Sequence, residues 1–264
     1  MPVRKQNSNK GTFGKVLNIC GSKNYIGAAY LATISSLKIG AGYSVLASTK
    51  EVVRSVSTLL PEAVYIKRAD CLKKLNNYNA ILIGCGLGLE PASQRYFKHV
   101  IKQLQKETIP VVIDADGLNI LAQNNLRLPK NSIITPHPLE ASRLLRCSLE
   151  DVISDLEKSA KELTKKYNCV TVLKTHRTII CNNDFSTHIN QHGNSALAKS
   201  GSGDVLAGII AGLLAQKMDC FEAAKLGVYL HSRAGEIASE ELTEYSVLAS
   251  DIPKYIHKAI KEIL

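Results

Sequence analysis

Short β-branched runs alternate with helical periods along most of the 264 residues, and that alternation constrains the fold more than any other feature. The runs fall at residues 16–20, 43–47, 63–66, 80–83, 111–113, 132–134, 170–173 and 178–181. Apolar residues at helical spacing predict helices over 26–39, 50–60, 92–106, 139–146 and 149–167, with three more over 204–216, 221–240 and 250–263. Strand followed by helix, repeated, predicts an α/β fold in which helices cover both faces of a mostly parallel sheet. No Pro- or Gly-rich linker and no solenoid-length repeat interrupts the pattern, so one domain is expected.

In such sheets ligands bind beyond the carboxyl ends of the strands. Those junctions are rich in Gly and Asp: Gly21-Ser22, Gly84-Cys85-Gly86-Leu87-Gly88, Asp114-Ala115-Asp116-Gly117, Thr135-Pro136-His137-Pro138, Lys174-Thr175-His176 and Gly201-Ser202-Gly203-Asp204. In the last of these, small residues let the backbone approach a ligand, and the amides open out of a helix N-terminus as an anion cradle. Asp204 is expected to start that helix. It reads equally as an N-cap or as a base that takes a proton from a hydroxyl attacking a phosphoryl group. Lys174 ends an apolar strand, where a cation neutralises phosphate or simply reaches solvent. His137 and Glu140 flank Pro138 at a strand-to-helix turn. Asp114 and Asp116 suit a hydrated Mg²⁺ or a helix cap. His231 and Arg233, on a late helix, receive no role.

Two common nucleotide signatures are excluded. After Gly84-x-Gly86 the sixth position of the dinucleotide fingerprint is Leu89, and no Gly-x-x-x-x-Gly-Lys-Ser/Thr stretch exists, which disfavours a hydride-transferring dehydrogenase and a P-loop enzyme. The net charge of +10 favours an anionic partner, but it is diffuse, Trp is absent and Phe numbers four, so a nucleic-acid groove is not expected. The longest apolar stretch, 205–215, is about half of the roughly 20 residues a bilayer crossing needs. The first 15 residues are polar and basic without an apolar core, so no membrane association and a cytoplasmic location are expected. Seven Cys without a Cys-x-x-Cys pair suggest buried reduced thiols.

An ordered series of further stretches carries a resemblance. It comprises Lys10-Gly11-Thr12-Phe13-Gly14-Lys15, Gly27-Ala28-Ala29-Tyr30-Leu31, Gly40-Ala41-Gly42, Leu60-Pro61-Glu62-Ala63, Asp114-Ala115-Asp116, and Thr135-Pro136-His137-Pro138 with Glu140. Asn194 with Ala196-Leu197-Ala198, Gly201-Ser202-Gly203-Asp204 and Tyr229-Leu230-His231 complete it. Over nearly its whole length the chain resembles the NAD(P)H-hydrate dehydratase family of the ribokinase-like superfamily.

The resemblance implies a ribokinase-like three-layer α/β/α sandwich over residues 1–264, with 1–14 a partly extended N-terminal segment. It implies nucleotide-driven dehydration of the S epimer of hydrated NADH or NADPH. ADP or ATP is the co-substrate and Mg²⁺ the metal; the ADP reaction yields NAD(P)H, AMP and phosphate. By the same resemblance Ala28, Leu87, His137 and Asp204 contact the dinucleotide hydrate. Lys174, Thr175, His176, Arg177, Thr178 and Gly203 contact AMP or ADP. Gly201, Ser202 and Gly203 form the anion hole, with Asp204 as base, and Glu140 orients Mg²⁺. A homotetramer is implied, and an NAD(P)H-hydrate epimerase, separate or fused ahead of residues 2–11, as partner. The chain departs from the family pattern at Thr175, Cys85, Leu139, Gly117 and Ser202, where Gly, Pro, Gly, Ala and Thr are frequent. Two other readings stay open: a vitamin-precursor alcohol kinase of the same superfamily, and a nucleotide-binding protein without turnover.

Overall fold

The computed structural model describes the backbone of residues 1–264 and every side chain other than that of Lys74. In chain order the elements are β1 (Lys15–Ile19), α1 (Ile26–Lys38), β2 (Tyr43–Ser48), α2 (Lys50–Ser57), β3 (Val64–Lys67), α3 (Arg68–Cys71), β4 (Ala80–Ile83), α4 (Pro91–Leu104), β5 (Val111–Ile113), α5 (Asp116–Gln123), β6 (Ser132–Ile134), α6 (Pro138–Leu145), α7 (Leu149–Ser154) and α8 (Leu156–Tyr167). Then follow β7 (Val170–Leu173), β8 (Ile179–Cys181), β9 (Thr187–Ile189), α9 (Ser202–Ala215), α10 (Cys220–Ser246) and α11 (Ile252–Lys261). One sheet runs in the order β3-β2-β1-β4-β5-β6-β7-β8-β9, parallel as far as β7, with β8 and β9 added antiparallel.

Alternation along each strand splits the core in two. Val16, Leu46, Leu82, Val112 and Val172 face a cluster shared with α1, α9, α10 and α11. Leu17, Ile19, Ile81, Ile83, Val111 and Ile113 face the cluster under α4, α5, α6, α7 and α8. This is the three-layer arrangement that the resemblance implies. Right-handed crossovers leaving β1 and β4 in opposite directions put α1 and α4 on opposite faces. They open a crevice beyond the carboxyl ends of β1 and β4, where the Gly21 amide donates to the Cys85 carbonyl at 2.8 Å.

All eight predicted strands form, each bound within one residue of expectation, while three details differ. β9 is short and mostly exposed, without the apolar alternation that marks a strand. The helix predicted over 149–167 is two, because Asp155 ends α7 and its carboxylate caps α8, accepting from the Lys158 amide at 2.9 Å. The thiols are not uniformly hidden: Cys147 is exposed and Cys220 half-buried, while the other five are buried. No helix is long and apolar enough to cross a membrane among the described residues.

Candidate active site

A cavity of about 900 Å³ opens beyond the carboxyl ends of β5, β6 and β7, against the N-terminus of α9 and one face of α10. It gathers Asp204, Gly201, Ser202, Gly203, His137, Glu140, Lys174, Thr175, His176 and Thr178 from three separate stretches of sequence. Three expected residues are not part of its wall. Leu87 is fully buried among core side chains, its amide donating to the Gly84 carbonyl at 3.0 Å and its carbonyl accepting from Ser93 Oγ at 3.0 Å, so it braces the glycine loop from behind. Ala28 adjoins Gly86 at the neighbouring β1/β4 crevice, and Arg177 is exposed at the tip of the β7–β8 turn.

α9 begins two residues earlier than expected, at Ser202, with Gly201 as N-cap at φ 93° and no side-chain cap. Asp204 therefore lies in the first turn, and the N-cap reading of it is corrected. The amides of Gly203 and Asp204 have no partner among the described residues, which leaves two donors and the positive end of the helix dipole facing the cavity. Gly203 matters because of what lies over it. A Cβ there would stand 3.3 Å from Lys174 Nζ and 3.7 Å from Asp114 Oδ2.

Ligand-binding atoms of Asp204, Asp114 and Cys85 lie within 4.8 Å of one another. Burial, followed by repulsion from Asp114, pushes the Asp204 carboxyl up to about 7. A group poised there accepts a proton near neutral pH without binding it so tightly that turnover stops. Asp114 is held from two sides: Thr135 Oγ1 donates to its Oδ1 at 2.7 Å and Lys174 Nζ at 2.8 Å. Gly84 makes room for it, at φ 124°, since a Cβ would collide with the Asp114 carbonyl oxygen. Asp116 turns away and accepts from the Gly88 amide at 2.8 Å, pinning the glycine loop to α5.

Beside this pair, His137 and Glu140 form a reciprocal capping box on α6. The His137 amide donates to Glu140 Oε2 at 2.9 Å and the Glu140 amide to His137 Nδ1 at 3.4 Å. Burial raises the Glu140 carboxyl to about 7 against the pull of Lys174, whose Nζ lies 4.0 Å away. Burial also pulls the Lys174 ammonium down, but the Asp114 and Glu140 carboxylates outweigh it and leave its pKa above the ordinary lysine value. Burial and Lys174 together lower His137. A cation, two acids near neutrality and a helix N-terminus thus converge where a phosphoryl group would sit.

Residues 16–258 match the model of the NAD(P)H-hydrate dehydratase family. The chain belongs to that family. It is 37% identical over 244 residues to the ADP-dependent (S)-NAD(P)H-hydrate dehydratase of Neisseria meningitidis serogroup B, covering 90% of this chain and 81% of that one. It is 34% identical to the bifunctional NAD(P)H-hydrate repair enzyme of Thermofilum pendens, with all of this chain matched but only 53% of that protein; the chain spans about half the length of such two-function relatives. The crystal structure of the ADP/ATP-dependent NAD(P)H-hydrate dehydratase from Bacillus subtilis, co-crystallised with ATP and Mg²⁺, superposes with TM-score 0.89 at 32% identity, covering 100% and 95% of the two chains.

Thr175, where the resemblance implies a Gly, folds its hydroxyl back and donates to the Arg177 carbonyl at 2.7 Å. Three residues gained a place only from the structure. Thr135 and Cys85 line up behind Asp114. His231 lines the cavity and its Nε2 lies 3.0 Å from Ser202 Oγ. The signal for His231 was its spacing, since Ala224, Val228, His231, Ala234 and Ala238 make one buried stripe on α10. The oxygen donors Glu140 and Asp114 suit Mg²⁺, which takes one or two carboxylates and completes its shell with water and phosphate. Glu140 is buried, borders the same cavity as Asp114 and lies 4.0 Å from the Lys174 ammonium that Asp114 also holds, so the two carboxylates approach one region from α6 and the end of β5.

Proposed function

We propose that the chain restores hydrated NADH or NADPH by nucleotide-driven dehydration of the S epimer, with ADP as phosphoryl donor and NAD(P)H, AMP and phosphate as products. The observation that carries this reading is Asp204, a largely buried carboxyl near neutrality set beside the free amides that open the α9 helix.

With the hydroxyl of the hydrate near Asp204, the carboxylate removes its proton as the oxygen attacks the β-phosphorus of ADP, and the bond to AMP breaks. The Gly203 and Asp204 amides, together with Lys174, balance the charge that builds on the transferred oxygens. The phosphorylated ring hydroxyl is a far better leaving group than hydroxide. The ring nitrogen's lone pair expels it, and the neighbouring carbon gives up a proton to the departing phosphate to form the double bond of NAD(P)H. His137 lines the hydrate side of the cavity, and Ala28 carries the dinucleotide towards the β1/β4 crevice, with Leu87 supporting the glycine loop beneath it. Lys174, Thr175, His176 and Thr178 border the nucleotide, with Arg177 at the outer edge of the same turn. Glu140, with Asp114, would hold Mg²⁺, which supplies charge neutralisation at the donor phosphates when bound.

The test is recovery of NADH absorbance when the protein meets hydrated NADH or NADPH, Mg²⁺ and ADP or ATP, with AMP and free phosphate measured alongside. Recovery matched by AMP and phosphate is expected with ADP. Phosphate retained on the organic substrate, without recovery, would overturn the reading in favour of a kinase.

A further inference from the structure

His231 projects from the middle of α10 against the first residue of α9. It is 6% exposed, Ser202 is 5% exposed, and both border the cavity. The Ser202 hydroxyl has no other partner among the described residues, and the His231 ring also meets the Ser202 backbone. Because Ser202 stands beside the free amides of Gly203 and Asp204, its hydroxyl is a third potential donor to an anion held there. Which way that hydroxyl points depends on which partner of the 3.0 Å contact carries the shared proton.

The tautomer with its proton on Nδ1 would spend the Ser202 proton on the imidazole. The tautomer with its proton on Nε2 satisfies that N–H at Ser202 Oγ and leaves the serine proton free. We propose that His231 is a positioning residue of the phosphate hole: its Nε2–H holds the Ser202 oxygen, so that the Ser202 hydroxyl donates to a phosphate oxygen at the N-terminus of α9. This rests on the reading of that helix end as the donor-phosphate site. Burial, reinforced by the charge of Lys174, lowers His231 to about 4, so the ring stays neutral and acts through one N–H over the working pH range. A protonated ring would have added a charge; a neutral one only orients its neighbour.

The test isolates the β-phosphate by titrating the protein with ADP and with AMP in a calorimeter, in the presence of Mg²⁺. The ratio of the AMP to the ADP dissociation constant is expected to fall about ten- to a hundredfold in Ser202→Ala and in His231→Phe, the worth of one hydrogen bond to a charged group. In the Ser202→Ala/His231→Phe double variant it is expected to fall no further than in Ser202→Ala. Ser202→Thr keeps the hydroxyl and should keep the ratio, and His231→Gln, whose amide N–H can reach the same oxygen, should recover part of the loss. His231→Asn, too short to reach, gives a second removal should the phenylalanine variant fail to fold. An unchanged ratio in both His231→Phe and His231→Asn, or an equal loss with and without Ser202, overturns the proposal. Turnover of the hydrate is a separate readout. A shifted ratio without turnover would uphold His231 while sinking the dehydratase reading, and turnover with an unmoved ratio would do the reverse.

Discussion

The Lys174 ammonium stands 2.8 Å from the Asp114 carboxylate, whose side chain is only 2% exposed. Charges this close in a shielded place depend on one another, and removing one strands the other. Lys174→Met is expected to destabilise the fold by about 3–5 kcal/mol, because it leaves the buried Asp114 side chain without its cation. Asp114→Asn acts differently. It removes the repulsion that helps to raise Asp204, so the acidic limb of the kcat/KM profile should move to lower pH. Denaturant unfolding and pH-rate profiles check the two, and a limb that stays in place after Asp114→Asn would remove Asp114 from the account of Asp204.

Asp204 itself carries opposite consequences for stability and for activity. Its folded-state pKa, about 7, lies above its ordinary value of 3.8. The folded chain therefore binds the proton more tightly than the unfolded one. The resulting stabilisation is fully present below the unfolded value and is lost as pH rises through about 7. Glu140, raised in the same way, adds to the trend. Asp204→Asn should abolish turnover, leave ADP binding largely intact and, without ligand, stabilise the chain by a few kcal/mol at about pH 8 and much less at about pH 5. Urea unfolding at the two pH values measures this. Equal stability of the variant and the parent at the higher pH would mean that the carboxylate is not strained by burial.

The same residue shows what the sequence discloses and what it conceals. Local chemistry was legible: Gly201, Ser202 and Gly203 announce a close backbone approach, and the strand ends locate Asp114, His137 and Lys174. Missing from the local pattern was the start of α9, because Gly201 caps the helix with backbone alone and offers no Ser, Thr or Asp signal. The roles of His231 and Thr135 stayed hidden for another reason. Each acts through a partner far away in sequence, 29 residues for Ser202 and 21 for Asp114, and only packing brings such pairs together. β9 escaped because an exposed antiparallel edge lacks the continuous apolar run of a central parallel strand.

Two glycines separate backbone need from tolerance. At Gly84 a side chain would meet the Asp114 carbonyl at a φ of 124°, whereas at Gly27, in the first turn of α1, a Cβ has nothing within 4 Å. Gly84→Ala should cost at least about 2 kcal/mol and lower kcat through a displaced Asp114. Gly27→Ala should be neutral or stabilise by up to about 1 kcal/mol. Thermal melts of both with parallel kinetics test the contrast, and a fully active, stable Gly84→Ala would show that the loop under Asp114 can relax.

Thr175 tests whether a departure from the family pattern changes the choice of donor. Its Oγ1 donates to the Arg177 carbonyl at 2.7 Å, and Thr178 Oγ1 donates to the Thr175 carbonyl at 3.2 Å, so both hydroxyls brace the β7–β8 turn from within. A side chain tied back in this way narrows the nucleotide end of the cavity less than its size suggests. Thr175→Gly should therefore loosen the turn, costing about 0.5–1 kcal/mol of stability. The affinity for ADP should change less than about threefold, within about 0.7 kcal/mol. The ratio of kcat/KM for ADP to that for ATP should stay where it is. A reversal of that ratio would place the threonine side chain against the nucleotide and make this turn the element that selects between the diphosphate and the triphosphate.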